Sequence, residues 1–176
     1  MAGQYGNLGS VYLTRGDLNK AEEHYRKSFA LYEKLGGKEG MAGQYGNLGI
    51  VYFTRGDLDK AEEHYRKSLD LNEELGRKEG VAIQYGNLGD MYRVRGDLEQ
   101  AEAHYRKALA IETELGRNEG VAIQYGNLGI LFEDRDDMDK ACEHWAKALA
   151  LFEAVGMAPQ VEKVRGWMKA AGCPDA

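Results

Sequence analysis

The sequence repeats itself with a period of forty residues. Residues 1–40 and 41–80 are identical at 32 of 40 positions, and residues 41–80 and 81–120 are identical at 25. Residues 121–160 follow the same pattern with more changes. A fixed period of this length is typical of an array in which each unit buries one face against its neighbours. We therefore expect four tandem repeats followed by a terminal segment, 161–176.

Each repeat has the hydrophobic pattern of two helices. In the first half of the first repeat, Tyr5, Leu8 and Tyr12 recur at helical spacing. In the second half an apolar stripe starts at Leu18 and continues at three- and four-residue steps through Tyr25. The pattern predicts an all-α chain of helix pairs.

An Arg-Gly-Asp tripeptide separates the two helices of each of the first three repeats. A glycine in the left-handed conformation ends a helix, and an aspartate caps the next one through its carboxylate. In the fourth repeat Asp136 stands at the glycine position, and aspartate tolerates the left-handed region better than most residues. The tripeptide is therefore interpreted as the end of one helix and the N-cap of the next. An adhesion motif would instead need a projecting loop.

A second glycine, preceded by an apolar residue, ends the second helix of every repeat. After the last copy, Pro159 suits the first turn of a new helix. An apolar stripe follows, and Gly172 and Pro174 end it. The stripe consists of Val161, Val164, Trp167, Met168 and Ala171. This segment is predicted to be a capping helix that covers the open face of the last repeat.

These positions resemble the tetratricopeptide repeat family. Its pattern of aromatic, Leu-Gly, Tyr, Gly-Asp, Ala, aromatic and small residue is matched by Tyr5, Leu8, Gly9, Tyr12, Gly16, Asp17, Ala21, Tyr25 and Ser28. The resemblance implies a right-handed α-α superhelix (solenoid) of four helix pairs plus the capping helix. The forty-residue length is similar to that of repeats in spindle-orientation adaptors and kinesin light chains.

The resemblance also implies a peptide-binding groove lined by the first helix of every repeat. Positions 3, 6, 7, 10, 13 and 14 share one helical face, which agrees with that assignment. The candidate groove residues are Asn7, Asn47, Asn87, Asn127, Ser10, Ile50, Asp90, Ile130, Leu13, Phe53, Arg93, Glu133 and Asp134. One of these positions changes from Phe53 to Arg93 to Glu133, which a buried position would not tolerate.

Two groove positions do not change between repeats, and two interpretations stay open for them. Asn7 and its three equivalents could pair with the backbone of an extended peptide, with the adjacent glycines leaving room for it. Alternatively, the asparagines bond their own neighbouring helices and the glycines only permit tight packing. A glycine inside a helix costs about 0.5–1 kcal/mol relative to alanine, so either use must offset that cost.

The remaining groove positions predict the chemistry of the partner. The first two repeats offer Leu13, Ile50 and Phe53, whereas the last two offer mostly charged residues with an acidic excess. We expect a protein or peptide partner with apolar side chains over the first half and basic ones over the second. A chaperone-type clamp on a C-terminal carboxylate fits poorly, because its lysine and second asparagine positions are not matched.

Three functions compete at this stage. The first is a peptide-binding adaptor or scaffold, and the second is a structural array that self-associates end to end through the uncapped first repeat. The third is an accessory segment of a larger signalling protein. No pattern suggests an enzyme, a cofactor or a metal site; the histidines at His24 and its equivalents are expected to be half-exposed surface residues.

Composition limits the partners and the location. A net charge of −6 argues against a nucleic-acid partner, and no apolar run is long enough to span a membrane. No signal peptide is evident at the start. Only two cysteines occur, without a disulfide-framework spacing, and Cys142 is expected to be a free surface thiol. Together these features favour a cytoplasmic location.

Overall fold

A computed structural model describes residues 1–174, and within this range the secondary structure consists of nine α-helices without any strand. The helices are α1 (Ala2–Thr14), α2 (Leu18–Lys34), α3 (Lys38–Arg55), α4 (Leu58–Glu74), α5 (Lys78–Arg95), α6 (Leu98–Glu114), α7 (Asn118–Asp134), α8 (Met138–Ala154) and α9 (Ala158–Ala171). The predicted all-α class is confirmed. From the second repeat on, each first helix begins three residues before the first residue of its forty-residue block, as the longer repeat predicts.

The chain divides into two compact units. The first unit, Met1–Met91, contains α1 to α4 and most of α5; within it α1 packs on α2, α2 on α3, and α3 on α4. The second unit starts at Tyr92, and within it α6 packs on α7, α7 on α8, and α8 on α9. In each unit, therefore, a helix contacts the helix that follows it in the sequence, as tandem helix pairs require.

An aromatic ring resting on a glycine joins the two helices of a pair. Tyr25 is buried, and a Cβ atom placed on Gly9 of the facing helix would lie 2.5 Å from its ring. In the fourth repeat Trp145 occupies the same position against Gly129, where the Cβ distance would be 2.2 Å. The glycine of the Leu-Gly pair is thus required for the close approach of the two helices.

The Arg-Gly-Asp tripeptides lie at the turns between paired helices. Gly16 has φ +77°, and the side chain of Asp17 accepts a hydrogen bond from the backbone N–H of Lys20 at 3.1 Å. In the fourth repeat Asp136 adopts the left-handed conformation with φ +58°. These geometries agree with the interpretation that the tripeptide ends one helix and caps the next.

A partly exposed ion pair links the first two repeats. Glu22 on α2 pairs with Arg55 on α3 and also accepts a hydrogen bond from the Tyr52 hydroxyl at 2.8 Å. Burial alone would raise the pKa of Glu22, but the bonds from Arg55 and Tyr52 outweigh it and hold that pKa below its ordinary value of 4.5. In the second unit Glu102 and Arg135 form the same pair, 2.5 Å apart.

The prediction of a free thiol at Cys142 is wrong, because Cys142 forms a disulfide with Cys173. Cys142 lies at the position that Glu22 and Glu102 occupy in earlier repeats, facing the next first helix. Here α9 takes the place of that helix, and the turn at Gly172 brings Cys173 back onto α8. The disulfide also removes the cysteines as an argument for a reducing compartment, so the cytoplasmic location stays a prediction.

The expectation that the histidines are half-exposed holds for the first two repeats and is wrong for the last two. His104 and His144 are buried, whereas His24 and His64 are partly exposed. Each ring packs against an aromatic ring of the first helix, as for His144 with Phe132 at 5.0 Å between centroids. The imidazoles therefore fill the space between paired helices.

The terminal helix covers the last repeat. Helix α9 starts at Ala158, with Pro159 in its first turn, and buries Val161, Val164 and Met168. The left-handed Gly172, at φ +70°, ends the helix. The last two residues of the predicted segment, 175–176, lie outside the described residues. Among the described helices, none combines the length and apolar character needed to cross a membrane.

Candidate peptide-binding surface

The predicted groove residues of the first unit lie along one face of α1, α3 and α5. Asn7 and Ser10 are exposed, and the remaining members in this unit are partly exposed. Those partly exposed residues are Leu13, Asn47, Ile50, Phe53, Asn87 and Asp90. The face therefore offers an accessible mixture of amide and apolar side chains.

The tenth residue of a repeat lies above the buried tyrosine of the same or the preceding repeat. The Tyr25 hydroxyl donates to the Ser10 hydroxyl at 3.2 Å, and Ser10 in turn donates to the carbonyl of Gly6 at 3.3 Å. Burial raises the pKa of the Tyr65 hydroxyl, and the charge of the nearby Asp90 raises it further. These two candidate residues therefore interact with the buried tyrosines, in addition to facing the surface.

The glycines beside the asparagines serve packing within the protein. Gly6 and Gly46 are buried, and the side chain of a glutamine from the next first helix lies over each one. A Cβ atom on Gly46 would lie 3.1 Å from Nε2 of Gln84, and one on Gly6 would lie 3.4 Å from Nε2 of Gln44. The glutamine therefore packs on these glycines, which gives the packing interpretation a structural basis.

The glutamine that covers each glycine is a residue that the sequence reasoning missed. Gln44, Gln84 and Gln124 are all buried, although glutamine is a polar side chain. Gln84 accepts a hydrogen bond from Nδ2 of Asn87, one turn along the same helix, at 3.3 Å. The signal was present in the sequence, because glutamine occupies this position in all four repeats, three residues before the asparagine.

The candidate residues of the second unit include an ion pair. Nη1 of Arg93 lies 2.9 Å from Oδ2 of Asp134; Arg93 is partly exposed and Asp134 is exposed. Burial alone would lower the pKa of Arg93, but the bond to Asp134 and a contact with Tyr105 outweigh it and raise that pKa. Asp134 is therefore already neutralised by the protein itself.

The other second-unit residues border a small cavity or flank it along α7. Asn127 lines a cavity of about 120 Å³ together with Ile123, Lys163 and Trp167. Trp167 of α9 approaches Gly126, and a Cβ atom there would lie 3.7 Å from its ring. Ile130 and Glu133 follow along α7 and are partly exposed.

A larger cavity lies on the candidate face of the first unit. Its volume is about 230 Å³. Its lining includes Asn47, Ile50, Asn87 and Gln84 from the first helices, together with Asn72 of α4 and Arg77 from the turn that follows it. Side chains with both donors and acceptors surround this space, with apolar edges. Such an arrangement suits a polar side chain of a bound peptide.

Groups of three or more histidine, cysteine, aspartate or glutamate side chains placed to hold a metal ion do not occur within residues 1–174. The candidate residues of the first unit carry amide and apolar side chains, and those of the second unit include one paired arginine. The tandem helix pairs of the chain define a protein of the helical-repeat class. The chain belongs to the tetratricopeptide repeat family, whose sequence model matches residues 2–74 and 40–114.

Solved structures with the same fold include three multi-repeat proteins. BtubC from P. vanneervenii is 25% identical with a TM-score of 0.77, covering 88% of this chain and 64% of that protein. Aspartyl phosphate phosphatase F from Bacillus subtilis is 13% identical with a TM-score of 0.90, covering 97% of this chain and 45% of that protein. A signal transduction ATPase with numerous domains and a tetratricopeptide repeat sensor, from Pyrococcus horikoshii, is 21% identical with a TM-score of 0.80, covering 93% and 25%.

This chain therefore spans less than two thirds of the length of each of these proteins. The last two resemblances establish the fold alone, because the identity is low. The comparison with curated protein sequences finds no match.

Proposed function

We propose that the protein is an interaction scaffold that binds an extended or helical peptide segment against the faces of its first helices, without a catalytic step of its own. Tetratricopeptide repeats generally mediate protein–protein interactions, and this chain is built from them. The observation that carries the proposal is the 230 Å³ cavity on the face of α3 and α5, lined by amide side chains. Asn47 and Asn87 in its lining are partly exposed, whereas Gly46 and Gln84, which also line it, take part in internal packing.

The side chains around the cavity define the partner that we propose. Ile50 and Phe53 lie on the same helix face as Asn47 and are partly exposed, so they favour apolar side chains of the peptide in the first unit. In the second unit Glu133 favours a basic side chain. Asp134 contributes less to that preference than its charge suggests, because Arg93 is bonded to it.

The two asparagines at the cavity provide the test. A phage-displayed library of random dodecapeptides is selected on the full chain, and the binders are measured by fluorescence anisotropy. We expect the double variant Asn47→Ala and Asn87→Ala to weaken binding at least tenfold, because amides that pair with a peptide backbone are lost. Its thermal midpoint should stay within a few degrees of the wild type.

A matched control removes two amides elsewhere. Gln100 on α6 and Asn118 on α7 are both exposed, and neither lines the cavity. The double variant Gln100→Ala and Asn118→Ala should bind like the wild type. Equal binding by the groove variant, or a library that yields no binder, would contradict the proposed function. A groove variant that fails to fold would assign the asparagines to structure instead.

Self-association is a second candidate function, and one observation favours it. Leu8 and Val11 on α1 are 44% and 45% exposed, whereas the equivalent Leu48 and Val51 on α3 are 4% and 0% exposed. The apolar face of α1 is thus exposed, whereas the equivalent face of α3 is buried. A second copy of the chain is the partner that would cover the face of α1. Light scattering should show a mass that grows with concentration, and Leu8→Asp should abolish the growth. A concentration-independent monomer would exclude this candidate.

A further inference from the structure

In the first three repeats, the residue at position 32 rests on a glycine in the first turn of the next first helix. A Cβ atom on Gly80 would lie 2.1 Å from Oδ1 of Asn72, and one on Gly120 would lie 2.3 Å from the carboxylate of Glu112. The first and fourth repeats place aromatic rings, Tyr32 and Phe152, at this position. The second and third repeats place a polar side chain there instead. Equivalent positions can therefore be compared directly.

In the third repeat this position holds a buried carboxylate that pairs with a partly exposed arginine. Glu112 is 3% exposed, and its Oε2 lies 3.2 Å from Nε of Arg117, five residues later. A buried carboxylate is stable only with a partner of opposite charge or hydrogen-bond donors around it. The protein therefore supplies both the acid and the arginine in this repeat.

In the second repeat the arginine is retained and the acid is not. Arg77 is the equivalent of Arg117, but Asn72 replaces the acid with a neutral side chain that is one methylene shorter. Asn72 donates to the carbonyl of Ser68 at 2.8 Å, and Arg77 pairs with Glu39 at 3.1 Å. That pair is exposed, at 42% and 71% of the two side chains, so it is weak and exchangeable.

Asn72 and Arg77 both line the cavity described above. Its walls carry amide groups from Asn47, Gln84 and Asn87, and the guanidinium of Arg77 borders it. Ile50 and Ile83 supply an apolar edge. An arginine with several amide donors around an open space suits a carboxylate, and an apolar edge suits the methylene groups that carry it.

We propose that this cavity binds an acidic side chain, aspartate or glutamate, of the peptide on the first unit. The ligand carboxylate takes the role that Glu112 plays in the third repeat, and Arg77 exchanges its exposed bond to Glu39 for this less exposed one. The inference rests on the proposed function and adds to it one required residue type. A peptide for this unit then carries an acid next to the apolar side chains that contact Ile50 and Phe53.

Three variants of the full chain test the assignment. Asn72→Glu supplies the carboxylate internally, as in the third repeat, and closes the site. Arg77→Gln removes the cation that the ligand needs. Arg165→Gln is the matched control, because Arg165 is an exposed arginine on α9 that is paired with Glu153 and lies outside the cavity.

The probes are dodecapeptides selected on the wild-type chain from the random library, each compared with a copy in which its acidic residue is changed to the amide. We expect the change from acid to amide to weaken binding at least tenfold, and Asn72→Glu and Arg77→Gln to do the same. Arg165→Gln should bind like the wild type. Circular dichroism melting of Asn72→Glu must show a folded protein, and an internal pair with Arg77 should keep its midpoint at or above that of the wild type.

The outcomes distinguish failure of the acidic-side-chain site from failure of the proposed function. Binders that tolerate the amide peptide and both cavity variants would overturn the acidic-side-chain site and leave the proposed function standing. A library without any binder would overturn both. If Asn72→Glu does not fold, Arg77→Gln together with the amide peptides still decides the assignment, because neither changes the packing on Gly80.

Discussion

The disulfide between Cys142 and Cys173 is expected to stabilise the second unit substantially. The two cysteines are 31 residues apart, so the bond closes a loop that contains most of α8 and all of α9. In the chain-entropy description, closing a loop of this length removes about 12 cal/mol/K from the unfolded ensemble. At 25 °C this corresponds to about 3.7 kcal/mol of the free energy of unfolding.

The perturbation is the double variant Cys142→Ser and Cys173→Ser, compared with the oxidised and the reduced wild type. Val164 and Met168 remain buried against the last repeat, so helix α9 should still form and the circular dichroism of the folded state should be unchanged. The loss should appear in the unfolding equilibrium. We expect a decrease of about 3–4 kcal/mol, since a native disulfide typically contributes 2–5 kcal/mol.

Tryptophan fluorescence makes the measurement specific to this unit. The chain has two tryptophans, Trp145 on α8 and Trp167 on α9, and their rings lie 6.0 Å apart in the second unit. Urea unfolding followed at these residues reports on the region that the disulfide closes, while circular dichroism reports on all helices. A reductant should destabilise the wild type and leave the double variant unchanged.

Two results would refute the reasoning. If the protein, denatured without reductant, takes up two alkylating groups, the disulfide is absent and the cysteines are thiols. If the bond is present but its removal changes the free energy of unfolding by less than about 1 kcal/mol, the loop-closure argument fails. In that case residual contacts of α9 would already restrict the unfolded ensemble of the reduced chain, so the disulfide would add little.

Two further predictions concern packing and pH. Gly49→Ala should destabilise the first unit by about 1–3 kcal/mol, because its Cβ atom would lie 2.5 Å from the buried ring of Tyr65. Gly43→Ala on the same helix meets no atom within 4 Å and should be neutral or stabilise by about 0.5–1 kcal/mol; thermal melts that rank the two variants in the opposite order would contradict this. Since the pKa of Glu22 is held below 4.5, its pairing stabilises the fold above that pH and is lost as the pH falls through the lowered value. Arg55→Gln should therefore cost about 1 kcal/mol at pH 7 and progressively less below pH 4.5; a deficit that is constant from pH 7 to pH 3 would count against the pairing.

The helices and turns of this protein could be read from local sequence features. The left-handed residue at each turn is a glycine or Asp136, and the turn within a repeat is followed by an aspartate cap such as Asp17. Both features can be recognised from the sequence. The apolar stripe of each second helix likewise depends only on spacings of three and four residues. Comparison of the repeats with one another then identified the variable face of the first helices.

The details of the candidate face depend on contacts between repeats, which spacing within one repeat does not reveal. Gln84 covers Gly46 although the two residues are 38 positions apart, and this contact decides that the glycine is a packing residue. Arg93 and Asp134 were predicted as separate groove charges, but the structure joins them. Asn72 packs on Gly80 and also lines the cavity, which spacing within one repeat does not reveal.

The sequence by itself determined the period, the helix pairs, the turns and the family, because these follow from backbone preferences and hydrophobic spacing within forty residues. Tertiary structure alone decided that Cys142 meets Cys173, that His104 and His144 are buried, and that a cavity bordered by Arg77 opens on the first unit. The physical reason is distance. Helix formation depends on neighbours three and four residues away, whereas pairing and burial depend on which side chains another helix brings within a few ångströms.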